Sequence, residues 1–365
     1  MTAARRWPWI APILLYAAST LEMIIMVTPF AAYFYSVYTP LFHGLEQSAA
    51  TAWLPQFFLP HLAHTRLALF RGINWLGAIL ALVGIVGFFA CAVQLYYGKF
   101  IKKQLVSGGL YGRIRHPQYL LLMIGGAGFL LLWPRFFILA TYLMMLGLYY
   151  MLARHEEETL KERYGSTTHD YLARVPMFNP FSGPRQHTPA PRARVLAVWL
   201  VIVAACLVTA FGLRALAVSQ LYVVQRQSPD VTALAFRTMS DAEINATTAS
   251  VLATAPIRSL LENDRDVALF MQINNSGSQL RHLLIDLGMT PEARDALDIS
   301  QDGDFIVVSQ VMARNPAATQ VPGAFALGAR IEPLFLVGLP GNQQPPTISK
   351  LTTDQFYTDF SRILF

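Results

Sequence analysis

Three apolar runs, residues 9–34, 73–97 and 195–218, decide what this chain can fold into. Each has about the 20 residues that an α-helix needs to cross a hydrocarbon core, where lipid offers no partner to backbone polar groups and a spanning segment must pair them internally. Two shorter runs, 118–132 and 136–153, flank Trp133-Pro134-Arg135 and read as a tight helical hairpin. Its first arm is too short for the full core of roughly 30 Å. Glu22 interrupts the first run; an acid at that depth usually faces a bundle interior or a polar partner and is a candidate functional residue, the alternative being a solvated, snorkelling or packed structural Glu. Charged residues make up 14% of the chain, against roughly a quarter in soluble domains. We therefore expect an α-helical integral membrane core of about five membrane helices, the short hairpin included. No small-residue cleavage site follows the first apolar core at signal-peptide distance, so that helix is expected to be retained.

Charge divides the chain again. From residue 219 onward it carries ten Lys and Arg against fifteen Asp and Glu, leaving eighteen against seven before it. A basic membrane part and an acidic, polar tail read as separate domains, and the basic pI does not imply a nucleic-acid partner. The expected boundaries are 1–72 (first helix and an aromatic, Pro-rich connector), 73–194 (the core), 195–218 (the last membrane helix) and 219–365. Cys91 and Cys206 lie inside apolar runs, so they give neither a disulfide framework nor a metal site. Basic residues cluster in 98–117 and 154–194, which places those blocks on the cytoplasmic side and the tail on the opposite side.

In the connector, Pro40, Pro55 and Pro60 argue against one long helix, and an interfacial lid or re-entrant segment is expected. His61 and His64 share i,i+3 spacing without an accompanying carboxylate motif, which is thin support for a metal. In the tail, 241–253 and 352–363 have helical spacing, while Val267–Ile273, Phe305–Val311 and Pro333–Leu339 read as buried strands. These elements predict a soluble α/β accessory domain with no legible catalytic motif.

Two polar blocks remain, wedged against apolar runs. In residues 105–119, Gly108-Gly109 permits close backbone approach, Arg113 and Arg115 bring positive charge, and His116-Pro117 starts a new helix. A helix start beside Arg115 and His116 suits a carboxylate; the alternative is a basic cluster on lipid head groups. In residues 154–180, Arg154-His155-Glu156-Glu157-Glu158 stacks acids at the expected end of an apolar helix, where repulsion and the negative helix end disfavour them. Either Arg154, Lys161 and Arg163 compensate locally, or a bound cation does. Tyr164-Gly165 then ends the helix, and Tyr171, Val175-Pro176 and Phe178-Asn179-Pro180 lead back toward the membrane.

Gly109-Leu110-Tyr111 through Arg115-His116-Pro117-Gln118-Tyr119, then Glu156-Glu157, Leu160, Tyr164-Gly165, Tyr171 and Val175-Pro176 to Pro180, resembles the isoprenylcysteine carboxyl methyltransferases and the related phospholipid N-methyltransferases. The resemblance covers roughly residues 73–182 and lapses at Thr168, where that family has an aromatic. It implies an integral membrane enzyme using S-adenosylmethionine. Catalytic residues would be His116, Arg115 and Glu157, and the cofactor pocket would draw on Tyr111, Arg113, His116, Tyr119, Glu156, Glu157 and Tyr171. An ammonium and a sulfonium match acids and aromatic faces, and a carboxylate matches Arg115 and His116. The acceptor would be a hydrophobic molecule or a small carboxylate, thiol or amine, with the bilayer as a further partner. The Gly125-Gly126-x-Gly128 stretch reads as small-residue helix packing.

Two other readings compete. Membrane sterol reductases share an Arg-His-Pro-x-Tyr block and use NADPH, yet carry Asn after the Pro and an acid soon after the Tyr, where this chain has Gln118 and Leu120-Leu121-Leu122. A non-catalytic membrane anchor with a partner-binding tail fits less well with intact His116, Tyr119, Glu156 and Glu157. Oligomeric state is not legible.

Overall fold

The computed structural model describes the chain except residues 1–9, 32–33, 49, 103–105, 165, 182–190, 228, 265–266, 298, 300–302, 313–324, 326, 328, 341–344, 358–360 and 363–365. Arg5, Arg6, Lys103 and Arg185, on which the charge argument also draws, lie outside the described residues. The first two-thirds are helical: α1 Ile10–Val27, α2 Phe34–Glu46, α3 Ala68–Arg71, α4 Ile73–Tyr96, α5 Pro117–Leu132, α6 Phe136–Tyr164, α7 Ser166–Arg174 and α8 Arg192–Ser219. Four stretches are long and apolar enough to cross a membrane: Ile10–Phe30, Ala68–Tyr96, Phe136–Glu162 and Ala193–Ser219. The fifth expected helix, α5, has 16 residues, which at 1.5 Å per residue is about 24 Å.

The chain divides into two compact units. One gathers α1, α4, α5, most of α6, α7 and the first part of α8. Within it, α4 and α5 pack backbone to backbone: a Cβ added at Gly84 would stand 2.3 Å from the Gly125 Cα, and one at Gly128 would stand 2.3 Å from the Ala81 nitrogen. Small residues permit this approach, as the glycine spacing predicts. The apolar run of α6 stops at 153, and the helix runs on to Tyr164, where Tyr164-Gly165 was expected to end it. Ala, Arg, Glu, Leu and Lys in 152–162 are strong helix formers, so Glu156 and Glu157 sit about two turns before the helix end. The helix dipole is therefore not what opposes them.

The second unit gathers residues 31–72, Pro134–Phe137 and the chain from Thr209 onward. Its strands are β1 Tyr222–Gln227, β2 Asp230–Ala235, β3 Leu269–Asn274, β4 Gly303–Val311, β5 Arg330–Pro340, β6 Thr347–Lys350 and β7 Ser361–Arg362, with helices α9 Asp241–Leu252, α10 Ala255–Asn263, α11 Gly277–Asp286 and α12 Pro291–Asp295. They form a mixed sheet in the order β1-β2-β3-β4-β5-β6, with β7 also on β5. Among the described residues only β2 and β3 pair in parallel, joined through α9 and α10. Val231, Ala233, Leu269, Met271, Ile273, Ile306 and Val308 bury one sheet face against Ile244, Val251 and Ile257 of these helices. A capping box between Ser240 and Glu243 starts α9. The three expected strands and the helix at 241–253 are present.

Among the described residues of 352–363 the expected helix is absent. Thr353–Gln355 form one 3-10 turn behind a Thr352–Gln355 capping box, Phe356 bridges Met289 and Ser361–Arg362 pair with β5. Sheet pairing overrides helical spacing there. Pro40 lies inside α2; that helix tolerates the lost backbone bond because Phe34 and Phe42 bury their rings 5.6 Å apart, and Phe42 meets Phe137 at 5.6 Å. Beyond α2 the connector turns. Arg135, fully buried, donates to the Pro55 carbonyl at 2.7 Å and lies 4.2 Å over the Phe57 ring. His61 stacks on that ring at 4.9 Å and places Nε2 3.4 Å from Asp286, while His64 is held through its backbone N–H to the Phe236 carbonyl.

Candidate functional site

The polar side chains of the two sequence blocks meet at one end of the first unit's helices: early α1, the end of α4, the start of α5 and the late turns of α6. Between α4 and α5 the chain makes a tight turn at Gly109–Gly112. Gly109 has φ +60°, which favours glycine, and a Cβ there would lie 2.7 Å from the Gln94 amide nitrogen and displace that side chain. Gln94 donates to the Gly108 carbonyl at 2.7 Å and holds the turn to α4. His116 is the N-cap of α5 and Pro117 its first residue. The imidazole does not cap the helix, which leaves both ring nitrogens for other partners.

The return segment after α7 fixes the backbone of this corner. Arg115 donates its N–H to the Pro176 carbonyl at 2.9 Å and His116 donates to Met177 at 3.3 Å. The Tyr171 hydroxyl donates to the Tyr111 carbonyl at 2.8 Å. Tyr111 in turn donates to the Gln118 side-chain oxygen at 2.8 Å. Thr168, in place of an aromatic, is buried and donates to the Leu160 carbonyl at 3.3 Å, tying α7 to α6.

Into this frame α6 brings its acids. Arg115 Nη1 lies 2.9 Å from Glu157 Oε1, and both side chains are at most 5% exposed. His116 bridges the two acids, with Nε2 3.3 Å from Glu157 and Nδ1 3.4 Å from Glu156. Glu156 Oε1 accepts two phenolic hydroxyls, from Tyr119 at 2.6 Å and from Tyr16 of α1 at 2.8 Å. Compensation of the acids thus comes across the unit from α5 and α1. Among the described residues no ion pair joins Glu156 or Glu157 to Arg154 or Lys161.

Burial sets the electrostatics. It opposes charge on His116, but hydrogen bonds with Glu156 and Glu157 and their charges outweigh it, holding the imidazole above its ordinary value. Burial pulls Arg115 below the usual guanidinium range, partly offset by Glu157. It also raises the Tyr111 hydroxyl and pushes Tyr171 up to about 12 against the pull of Arg115. Arg115 Nε is buried and has no hydrogen-bond partner among the described residues. Aromatic faces line the acids: Tyr119 stacks on His116 at 5.7 Å and on Tyr149 at 5.3 Å, and Phe178 tilts over His116 at 6.0 Å.

Of the residues singled out from the sequence, Arg115, His116, Tyr119, Glu156 and Glu157 form one polar network, and Tyr171 and Tyr111 form a second hydrogen-bonded chain beside it that runs to Gln118. Arg113 is exposed, and among the described residues no side-chain hydrogen bond joins it to either. Gln118 and Phe178, read in the sequence as part of the motif and of the return segment without a site role, belong to the corner; so do Tyr16 and Tyr149, which read only as apolar membrane positions. Beside the polar corner runs a wholly apolar groove of about 600 Å³ between α4 and the start of α5, lined among others by Val83, Val86, Leu110, Ile114, Pro117 and Leu121. Among the described residues no cluster of His, Cys, Asp and Glu suits a metal ion.

Residues 73–167 match the family model of the phospholipid methyltransferases. That segment holds every residue named in this corner except Tyr16, Thr168, Tyr171, Phe178 and the return segment that carries it, so the match agrees with the relationship suggested by the motif. No curated protein and no solved structure matches the chain.

Proposed function

We propose that this chain is an integral membrane methyltransferase that uses S-adenosylmethionine and modifies an acceptor carrying a hydrocarbon chain. One observation carries the reading: the buried Arg115–Glu157–His116–Glu156–Tyr119 cluster, assembled from the two separated polar blocks of the matched segment. Its donors suit the cofactor. The unpartnered Arg115 Nε offers a hydrogen bond to a carboxylate, while Glu156, Glu157 and the Tyr119 and Tyr149 faces favour an ammonium or sulfonium. When bound, S-adenosylmethionine supplies a methyl group activated on sulfonium sulfur.

The chain's own work is alignment and exclusion of water. Arg115 and Glu157 orient each other, His116 holds both acids in one geometry, and the return segment locks the backbone of residues 115–116. Holding two reactants in line is worth up to roughly 7–11 kcal/mol, and no covalent intermediate on the enzyme is needed. The apolar groove supports a chain-bearing acceptor, because its walls Leu110, Ile114 and Pro117 alternate in sequence with Tyr111, Arg115 and His116. The basic clusters support a cytoplasmic site, with the tail on the opposite side.

The test is transfer of a radiolabelled methyl group from S-adenosylmethionine to extracted membrane lipids and, separately, to small amines, thiols and carboxylates. Label in a lipid product, lost by about a hundredfold or more in His116→Ala, supports the reading. Label only in water-soluble acceptors would remove the hydrocarbon-chain requirement. No transfer to any class would refute methyl transfer.

A further inference from the structure

Helix α1 lies outside residues 73–167, the segment matched to the family, yet it reaches the heart of the cluster. The Tyr16 hydroxyl donates to Glu156 Oε1 at 2.8 Å, and the Tyr119 hydroxyl donates to the same oxygen at 2.6 Å. A carboxylate oxygen has two lone-pair positions in its plane, and these two donors occupy both. Oε2 is then the oxygen left facing His116 Nδ1, at 3.4 Å. The Tyr119 ring stacks in turn on Tyr149 of α6 at 5.3 Å, so the carboxylate held from α1 lies beside aromatic faces of α5 and α6.

We infer that Tyr16 is a positioning residue of the site. By saturating Oε1 together with Tyr119, it fixes the Glu156 carboxylate so that Oε2 is presented to the cationic group of the methyl donor. This inference rests on the proposed use of S-adenosylmethionine. It makes α1 part of the binding machinery, and it separates donor binding, which runs through Glu156, from acceptor binding in the apolar groove.

The test is calorimetric titration of the full chain in detergent with S-adenosylmethionine, using wild type, Tyr16→Phe, Glu156→Gln and the double variant. Tyr16→Phe keeps the ring and its packing and removes one hydroxyl. A hydrogen bond to a charged acceptor, half-exposed as here, predicts a Kd higher on the order of tenfold. Against Glu156→Gln, whose amide oxygen is neutral, the same change should cost less than about threefold. In turnover, KM for the donor should rise while kcat at saturating donor and KM for the acceptor stay within about twofold of wild type. Wild-type donor affinity in Tyr16→Phe, or equal losses in both backgrounds, would overturn the inference while leaving the proposed function standing. If the wild-type chain itself failed to bind the donor, the proposed function would fall and this inference with it.

Discussion

Replacing one member of the Arg115–Glu157 pair should cost far more than its share of the loss when both are replaced. The two groups are 2.9 Å apart and at most 5% exposed. Arg115→Met alone leaves Glu157 buried with only His116 Nε2 nearby, at 3.3 Å. Glu157→Leu alone leaves a buried guanidinium whose Nε has no partner among the described residues. Breaking a buried pair from either side costs about 3–5 kcal/mol, whereas replacing both partners by apolar residues of similar volume is often close to neutral. Additive singles would total roughly 6–10 kcal/mol, while we expect the double variant to lose less than about 3 kcal/mol, His116 keeping Glu156 as its partner. The assay is reversible unfolding in mixed micelles titrated with sodium dodecyl sulfate, followed by near-UV circular dichroism. Single losses below about 1 kcal/mol, or a double loss equal to the sum, would refute the claim that the two charges act as one buried unit.

Other outcomes follow from the same geometry. His116 has its titration raised from the ordinary 6.5, so its contribution is fully present below that value and fades as pH climbs through the raised one. The stability difference between wild type and His116→Gln should therefore shrink as pH rises above the ordinary 6.5; a constant difference would show that the imidazole charge plays no part. Glu22 Oε2 and Ser19 Oγ are buried without hydrogen-bond partners among the described residues, so Glu22→Leu should raise stability by about 1 kcal/mol or more, and a loss measured by the same micelle titration would point to a missing partner. Gly84→Val must push the α4 backbone away from Gly125 and should cost about 3 kcal/mol or more, read as lost yield of monodisperse protein; wild-type yield would contradict the close crossing.

The long apolar runs and the two polar blocks were legible because their signals are local: hydropathy over one helix length, and motifs within about ten residues. The helix start at His116-Pro117 and the glycine seam in α5 could be read the same way. Tyr16 could not, since a tyrosine in a membrane helix carries no mark of the carboxylate 140 residues away that it meets. The end of α6 was legible at Tyr164-Gly165; what misled was the fall in hydropathy at Arg154, which made Glu156 and Glu157 read as lying at a helix end although helix propensity carries the helix past them. In the tail, β3, β4 and β5 showed as buried runs, but β1 follows the membrane helix after only two residues, Gln220 and Leu221, and its apolar start merged with that run. The helical spacing of 352–363 was real in the sequence and lost to pairing with β5 and Met289.

The account turns on what the buried cluster holds, and one measurement reaches that directly. Calorimetric titration of the detergent-solubilised full chain with S-adenosylmethionine, run beside NADPH, should show saturable binding of the first alone, weakened at least about tenfold in Glu157→Gln. Binding of NADPH in its place, or unchanged donor affinity in Glu157→Gln, would contradict the assignment of this corner as a methyl-donor site.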